Sequence, residues 1–167
     1  MNDKSDLSLA PSQRSAPSPD DWLLVDAVEL LWLLPRREAV HLGEFTCAEE
    51  ALPACGQVHH NQQSYPAVYW NRKLRLCLPE EGGCRSALIV QSPLGALALA
   101  CRRLMRLERP PRFYNLPQCM QGRHHNFEQV AVLNGRVAAK VNTDMLLERL
   151  PEALRRDTYS QHSSLGG

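Results

Sequence analysis

The hydrophobic pattern of the chain predicts short β-strands separated by polar turns. An apolar run over residues 22–34 ends at Pro35, which can neither continue a helix nor donate to a strand ladder. The periodicity of this run leaves helix and strand open. Residues 65–70 carry the β-branched and aromatic side chains typical of a strand, and Pro66 places that strand at a sheet edge.

Two β-hairpins are predicted farther along the chain. Each joins two apolar segments through a turn with suitable residues: Pro93 and Gly95 in the first, and Asn134 and Gly135 in the second. Asn-Gly is the strongest short turn signal, because both central residues adopt positive φ. The four strand segments are residues 87–91, 94–100, 129–133 and 136–141.

A helix is predicted after the second hairpin. Asn142 or Thr143 can cap it by accepting the free amides of its first turn, and Asp144 favours the positive end of its dipole. The apolar residues near helical spacing are Met145, Leu146, Leu150 and Leu154. The predicted fold is therefore mainly β with a C-terminal helix. Because no segment alternates strand with helix as βαβ units do, two small barrels are favoured over a parallel sheet.

The length of 167 residues permits one medium domain or two small barrels that share a core. Residues 1–20 are polar and rich in Ser and Pro, which predicts a disordered N-terminal tail. Residues 157–167 are predicted to form a flexible C-terminal tail. The folded part is then residues 21–156, with a first subdomain over about 21–86 and a second over about 87–156.

Composition and charge exclude several classes of protein. The formal net charge is +1, and 44% of the residues are hydrophobic, as in folded soluble proteins. No apolar run approaches the ~18 residues of a membrane-spanning helix, so direct membrane insertion is not expected. The N-terminus lacks the basic start and apolar centre of a signal peptide, which favours a cytoplasmic protein. The sequence contains no P-loop, G-x-S-x-G or H-E-x-x-H motif, and we expect neither enzymatic activity nor a cofactor.

Histidines and cysteines raise the question of a metal site, because imidazole and thiolate bind zinc. Adjacent residues on a strand point to opposite faces, so each His-His pair provides at most one ligand to a site unless it lies in a loop. Polar loop histidines and free thiols are the favoured interpretation, and nothing in the spacing places a cysteine nucleophile beside a base. The residues in question are His59, His60, His124, His125, Cys47, Cys55 and Cys119.

Positive charge is concentrated in residues 101–125, where six arginines accompany a single acidic residue, Glu108. Such a stretch can bind single-stranded nucleic acid, with Phe113 and Tyr114 stacking on bases. It can equally bind an acidic face of a partner protein, and the near-neutral chain as a whole favours the protein partner. The arginines are Arg102, Arg103, Arg106, Arg109, Arg112 and Arg123.

Several short motifs resemble the CheW-like family, the adaptor domains of bacterial chemosensory arrays. The resemblance covers about residues 22–154. The family's loop and following strand are matched by Gly56 and Pro66 in a frame without gaps. The remaining motifs are Leu33-Leu34-Pro35, Ala39-Val40-His41-Leu42, Leu88-Ile89-Val90 with residues 96–99, and residues 137–142 with Leu146-Leu147.

The resemblance implies two SH3-like β-barrel subdomains and a non-catalytic adaptor. Its partners would be the regulatory domain of a CheA-type histidine kinase and the cytoplasmic tip of methyl-accepting chemoreceptors, in chemotaxis or pilus-based twitching motility. The chain departs from the family pattern with Asn61 and Gln62 in place of Arg and Gly, and with His41 or Leu42 in place of Glu. We expect one partner surface at His41, His59, His60, Asn61 and Gln62, and another at Arg102, Arg103 and Arg106.

Overall fold

The structure is a computed structural model that describes residues 21–45, 47, 54–120 and 127–155. The predicted tails, His124 and His125 lie outside these residues. The described part is mainly β, as predicted, with one α-helix and a further helical turn at residues 152–155. The elements are β1 (Trp22–Ala27), β2 (Leu30–Pro35), β3 (Ala39–Glu44), β4 (Gly56–His60), β5 (Gln63–Val68), β6 (Ser86–Ser92), β7 (Gly95–Cys101), β8 (Arg103–Arg106), β9 (Tyr114–Asn115), β10 (Gln129–Leu133), β11 (Arg136–Lys140) and α1 (Thr143–Glu148).

The strands form two sheets, one of which combines strands from both ends of the sequence while the other contains the strands between them. The six-stranded sheet has the order β8-β1-β2-β11-β10-β9, and the five-stranded sheet has the order β3-β6-β7-β5-β4. The sheets therefore do not divide the chain near residue 86, where the sequence placed the subdomain boundary. The physical reason is a long-range pairing, because β2 lies parallel to β11 and this contact keeps β1 and β2 with the C-terminal strands.

The apolar run at residues 22–34, which the sequence left open between helix and strand, is the β1–β2 hairpin. Nearly every residue of both strands is buried. One face of this hairpin packs in a central cluster that includes Trp32, and the other contributes Leu24, Leu31 and Leu33 to a smaller cluster. Burial on both faces explains the continuous apolar run, which lacks the alternation of a half-exposed strand.

The prediction that Pro66 marks an edge strand is wrong. β5 lies between β4 and β7 inside the five-stranded sheet. Its parallel pairing with β7 involves only Ala67 and Val68, both beyond the proline. The missing N–H of Pro66 therefore removes no hydrogen bond from that short ladder, which is why an internal strand tolerates it.

The two predicted hairpins and the predicted helix are confirmed. β6 pairs with β7, and β10 pairs with β11 across Asn134 and Gly135, which have φ of 49° and 76°. Asn142 is the cap of α1, because its side chain accepts a hydrogen bond from the N–H of Met145 at 2.8 Å. The helix is shorter than the apolar spacing suggested. Leu150 and Leu154 follow it and are still buried.

Three apolar clusters form the core. The central cluster lies between the two sheets and α1, and Trp32 makes edge-to-face contacts there with Trp70 and Phe127. A second cluster, which includes Cys55, lies within the five-stranded sheet. The third lies on the other face of the six-stranded sheet, where the half-buried Trp22 packs against Phe113. Each sheet thus has its own core, and the central cluster joins them.

The five-stranded sheet curves so that its two edge strands, β3 and β4, approach each other. A Cβ atom at Gly43 on β3 would lie 2.6 Å from Cγ1 of Val58 on β4, closer than side chains pack. The sheet therefore forms a half-barrel, and its seam requires glycine at position 43. We call this contact between β3 and β4 the seam.

Candidate partner-binding surfaces

The structure brings together the residues predicted for the first partner surface. His59 and His60 end β4, and Asn61 and Gln62 form the turn to β5. His41 reaches this hairpin across the seam and stacks on His60, with ring centroids 4.1 Å apart and planes inclined by 15°. The result is a compact polar surface at one end of the half-barrel.

The electrostatics of this surface favour a neutral imidazole at His41. Burial lowers the pKa of His41 below its ordinary value of 6.5, and the charge of His60 lowers it further. Two parallel rings at this distance repel when both are protonated, whereas neutral rings pack well. His41 therefore contributes a neutral ring to the seam near pH 7.

The turn between β4 and β5 places two residues other than glycine in the left-handed region. The φ angles are 49° at Asn61 and 64° at Gln62. Two-residue hairpin turns require this conformation because it matches the strand twist, and Asn tolerates it better than Gln does. Gln62, which departs from the family's Gly, therefore carries backbone strain.

The arginines predicted for the second surface are largely engaged with aspartates of this chain. Arg102 donates to Asp26 at 2.9 Å, and Arg106 donates to Asp21 at 3.1 Å. Arg103 is exposed on the edge strand β8. Two of the three guanidinium groups are thus neutralised by partners from β1 or the residue before it.

Asp26 is the buried acidic residue at this surface, with 6% of its area exposed. Burial by itself would raise the pKa of its carboxyl. The hydrogen bonds from Arg102 and from the Val28 N–H, together with the charges of Arg102 and Arg136, outweigh burial and hold the pKa below its ordinary value. Asp26 is therefore an ionised group that fixes two arginines and the adjacent turn.

That turn is strained. Val28 has a φ of 67°, and the N–H of Glu29 donates to the carbonyl of Ala27 at 2.8 Å, which closes a γ-turn. A β-branched residue rarely adopts positive φ. Here Asp26 accepts from the Val28 N–H at 2.9 Å, and Arg136 donates to the Val28 carbonyl at 3.4 Å, so the neighbours hold the turn in place.

The Val28 turn forms one side of an open apolar groove that sequence reasoning missed. The groove has a volume of about 790 Å³, and Val130, Val137 and Ala139 line it from β10 and β11. Val132 pairs directly with Val137, and these two valines are 56% and 61% exposed. The same sheet face forms the central cluster at Trp32, so the groove is an uncovered continuation of the core face.

The opposite side of the groove includes the turn at residues 71–75. Leu74 lines the groove with a φ of 57°, so both this side and the Val28 side carry a strained bulky residue. Strained residues of this kind cluster at binding sites. The available sequence signal was the spacing of Val130, Val132, Val137 and Ala139, which places all four on one face of the predicted hairpin.

The cysteines are free thiols, as predicted. Burial raises the pKa of Cys55 and of Cys101 to about 12, and that of Cys84 to about 11. Thiols of this kind are poor nucleophiles near neutral pH.

Within the described residues, no three side chains of His, Cys, Asp or Glu are arranged to hold a metal ion. No helix among those residues is long and apolar enough to cross a membrane.

Comparison with known proteins identifies the fold. No protein-family model matches the chain, and no curated protein matches it. The chain is similar to the crystal structure of scaffolding protein TtCheW from Thermoanaerobacter tengcongensis, with a TM-score of 0.54 and 12% sequence identity over 78% of this chain and 94% of that chain. The CheW-like fold with SH3-like β subdomains, which the sequence motifs predicted, is thus confirmed.

Proposed function

We propose that this protein is a non-catalytic scaffold of a bacterial chemosensory system. It would couple the cytoplasmic tip of methyl-accepting chemoreceptors to the regulatory domain of a CheA-type histidine kinase. The observation that carries the proposal is the likeness in fold between 78% of this chain and a CheW scaffolding protein. A scaffold of this kind binds two partners at once, which raises their effective concentration for each other even when each interaction has low affinity.

The groove beside Val28 is the surface that best suits a receptor helix. Its floor includes Val137 of β11, and the exposed Val132, which pairs with Val137 from β10, extends the same apolar strip beyond the groove. An amphipathic helix binds such a surface by inserting apolar side chains at helical spacing. Arg72 and Arg136 line the groove as well, so the apolar strip has a charged rim, as other recognition grooves do.

With the groove as the receptor site, we propose that both surfaces predicted from the sequence contact the kinase. The stacked His41 and His60 with the Asn61-Gln62 turn form a rigid end of the half-barrel, suited to packing against another small barrel. Arg103 on β8 adds an exposed charge on the other sheet. Single-stranded nucleic acid is a weaker candidate, because Arg102 and Arg106 already pair with aspartates and are less available to phosphates.

The test is a capture experiment with the full chain. The tagged protein is mixed with the kinase regulatory domain in one tube and with a receptor-tip fragment in another, both from the same genome. Val132→Asp combined with Val137→Asp should reduce receptor capture at least about tenfold and leave kinase capture intact, because burying a carboxylate in an apolar contact is costly.

The control is Leu94→Asp, the same type of substitution at a single residue that is 50% exposed in the β6–β7 turn, outside the groove. It should leave capture of both partners unchanged. If the folded wild-type protein captures neither the kinase domain nor the receptor fragment, the proposed function is wrong. Equal loss of receptor capture in the control and the double variant would remove the groove from the proposal.

A further inference from the structure

The turn at residues 71–75 is rigid and projects basic side chains at the side of the groove. The Asn71 side chain accepts hydrogen bonds from the N–H groups of Lys73 and Arg75, at 2.9 and 3.1 Å. The backbone of Asn71 also donates to the carbonyl of Arg75 and accepts from the N–H of Leu74. Four hydrogen bonds to one residue therefore hold this short turn.

A further hydrogen bond joins this turn to the other side of the groove. The carboxylate of Glu29 accepts from the backbone N–H of Arg72 at 2.9 Å, and Glu29 directly follows the strained Val28. The contact is to the main chain of Arg72. Glu29 thus ties the two sides of the groove together at a fixed separation.

The side chains of this turn divide into one that is packed against the core and three that face solvent. Leu74 packs against the central cluster, whereas its neighbours Arg72, Lys73 and Arg75 are exposed. The positive φ of Leu74 costs conformational free energy, and it places the leucine side chain in the core while the neighbouring cations face solvent. Strain of this kind is typical of binding sites, which suggests that the exposed cations bind a ligand.

These three cations differ from the arginines that pair with aspartates of this chain. Arg36, Arg102, Arg106 and Arg136 form ion pairs with Asp21 or Asp26. Within the described residues, Arg72, Lys73 and Arg75 take part in no ion pair. Their guanidinium and ammonium groups thus stay exposed beside the groove, while the nearby Glu29 carboxylate is bound to the main chain of Arg72.

We propose that the basic side chains of the turn at residues 71–75 bind acidic side chains on the helix that occupies the groove. The helix would place its apolar face on Val132 and Val137 and a flank of Asp or Glu against Arg72 and Lys73. This inference rests on the proposed function and adds the chemistry of the partner and its orientation. Opposite charges beside an apolar contact select partners and speed association.

The experiment measures the affinity of the full chain for the receptor-tip fragment at low and high salt. Arg72→Glu combined with Lys73→Glu should weaken binding about tenfold at low salt, and the difference should shrink at high salt because screening removes it. The matched control is Arg37→Glu combined with Arg85→Glu, the same change of net charge at exposed residues away from the groove. It should change affinity by less than about twofold.

The partner side provides a second measurement. Replacing acidic residues of the receptor fragment with amides should weaken binding to the wild-type chain but should strengthen binding to the Arg72→Glu and Lys73→Glu variant, because it removes the repulsion between like charges. Such non-additivity identifies a direct contact.

Three outcomes would overturn the inference. If the charge reversal leaves affinity unchanged while Val132→Asp with Val137→Asp abolishes it, the groove and the proposed function stand, and acidic recognition is wrong. If the matched control weakens binding as much, the effect is one of net charge. If a single-stranded oligonucleotide displaces the fragment and loses binding on the same reversal, the turn binds nucleic acid instead. Absence of any binding to the wild-type chain would be a failure of the proposed function itself.

Discussion

Val28 has a positive φ, which is unfavourable for a β-branched side chain, and hydrogen bonds with neighbouring residues stabilise this conformation. Asp26 accepts the Val28 N–H and holds Arg102 and Arg136, and Arg136 in turn donates to the Val28 carbonyl. The carboxylate is buried and the arginines are half-exposed, so the ionised form of Asp26 is the one that satisfies the turn. One acidic residue thus controls the shape of the groove's edge.

Asp26→Asn should lower the free energy of unfolding by about 2 kcal/mol at neutral pH, because it removes the charge that the arginines bind. The wild-type contribution of Asp26 also depends on pH. Since its pKa is lowered by folding, this contribution is present above the ordinary value of 3.8 and is lost as the pH falls from there through the lower value.

Urea denaturation at a series of pH values measures both effects. The Asn variant should be less stable near pH 7 and should lose part of the acid dependence. Glu81→Gln is the control, since Glu81 is exposed. A wild-type and an Asn variant that lose stability in parallel on acidification would contradict the assignment.

The two hairpin turns allow a reciprocal test of backbone strain. Gln62→Gly should stabilise the protein by about 0.5–1 kcal/mol, because glycine adopts positive φ without steric cost. Gly135→Gln, at a φ of 76°, should destabilise it by a similar amount. Thermal unfolding of both variants checks this, and a loss of stability in Gln62→Gly would show that its side chain contributes a contact stronger than the strain.

At the scale of elements, the seam between β3 and β4 determines the shape of the half-barrel. Two contacts define it: the close approach at Gly43 and the stacked rings of His41 and His60. Neither contact lies within a hydrogen-bonded ladder, because β3 pairs with β6 and β4 pairs with β5. Side-chain packing, together with the isolated backbone bridge between Cys47 and Gly56, brings the edge strands together and assembles the polar surface at that end.

Gly43→Ala should destabilise the protein by about 1–3 kcal/mol, because the added methyl group would overlap the buried Val58. Chemical denaturation measures the change. Val58→Ala in the same chain should recover part of it, since the shorter side chain makes room. A double variant whose loss is the sum of the two single losses would contradict the close contact.

At the scale of the whole molecule, the central cluster makes one folding unit of two sheets. It receives side chains from both sheets and from α1, and the sheets themselves are assembled from strands distant in sequence. The C-terminal helix is also fixed from outside, because Glu38 accepts hydrogen bonds from the N–H and hydroxyl of Thr143 at 2.6 and 2.7 Å. The groove exists because this shared core ends before β10 and β11 do.

Leu147→Ala, in the part of α1 that faces this core, should cost about 2–5 kcal/mol through the cavity it leaves. Both sheets should lose stability together, so tryptophan fluorescence and far-ultraviolet circular dichroism should report one coincident transition. Val132→Ala, at an exposed apolar residue, is the control and should change stability by less than about 0.5 kcal/mol. Separate transitions for the two probes would show that the sheets fold independently.

The sequence predicted part of the candidate site. Through its resemblance to the CheW-like family it pointed to His41 and to residues 59–62, which the structure brings together, and their role in partner binding stays a prediction. It did not anticipate that Arg102 and Arg106 are paired, since their aspartates lie far away along the chain. Nor did it identify the groove, because whether Val132 and Val137 are covered depends on where the other sheet ends.

The local structure of this protein could be predicted from its residues: the two hairpins, a helix cap at Asn142 or Thr143, and the β-rich class. These follow from turn residues, capping side chains and apolar spacing, which act over a few residues. The folded structure was needed to show which strands share a sheet, that Pro66 lies inside one, and which charges and valines remain exposed. Those properties depend on contacts between distant segments, above all the pairing of β2 with β11, and a linear pattern of residues does not encode which distant surface covers which.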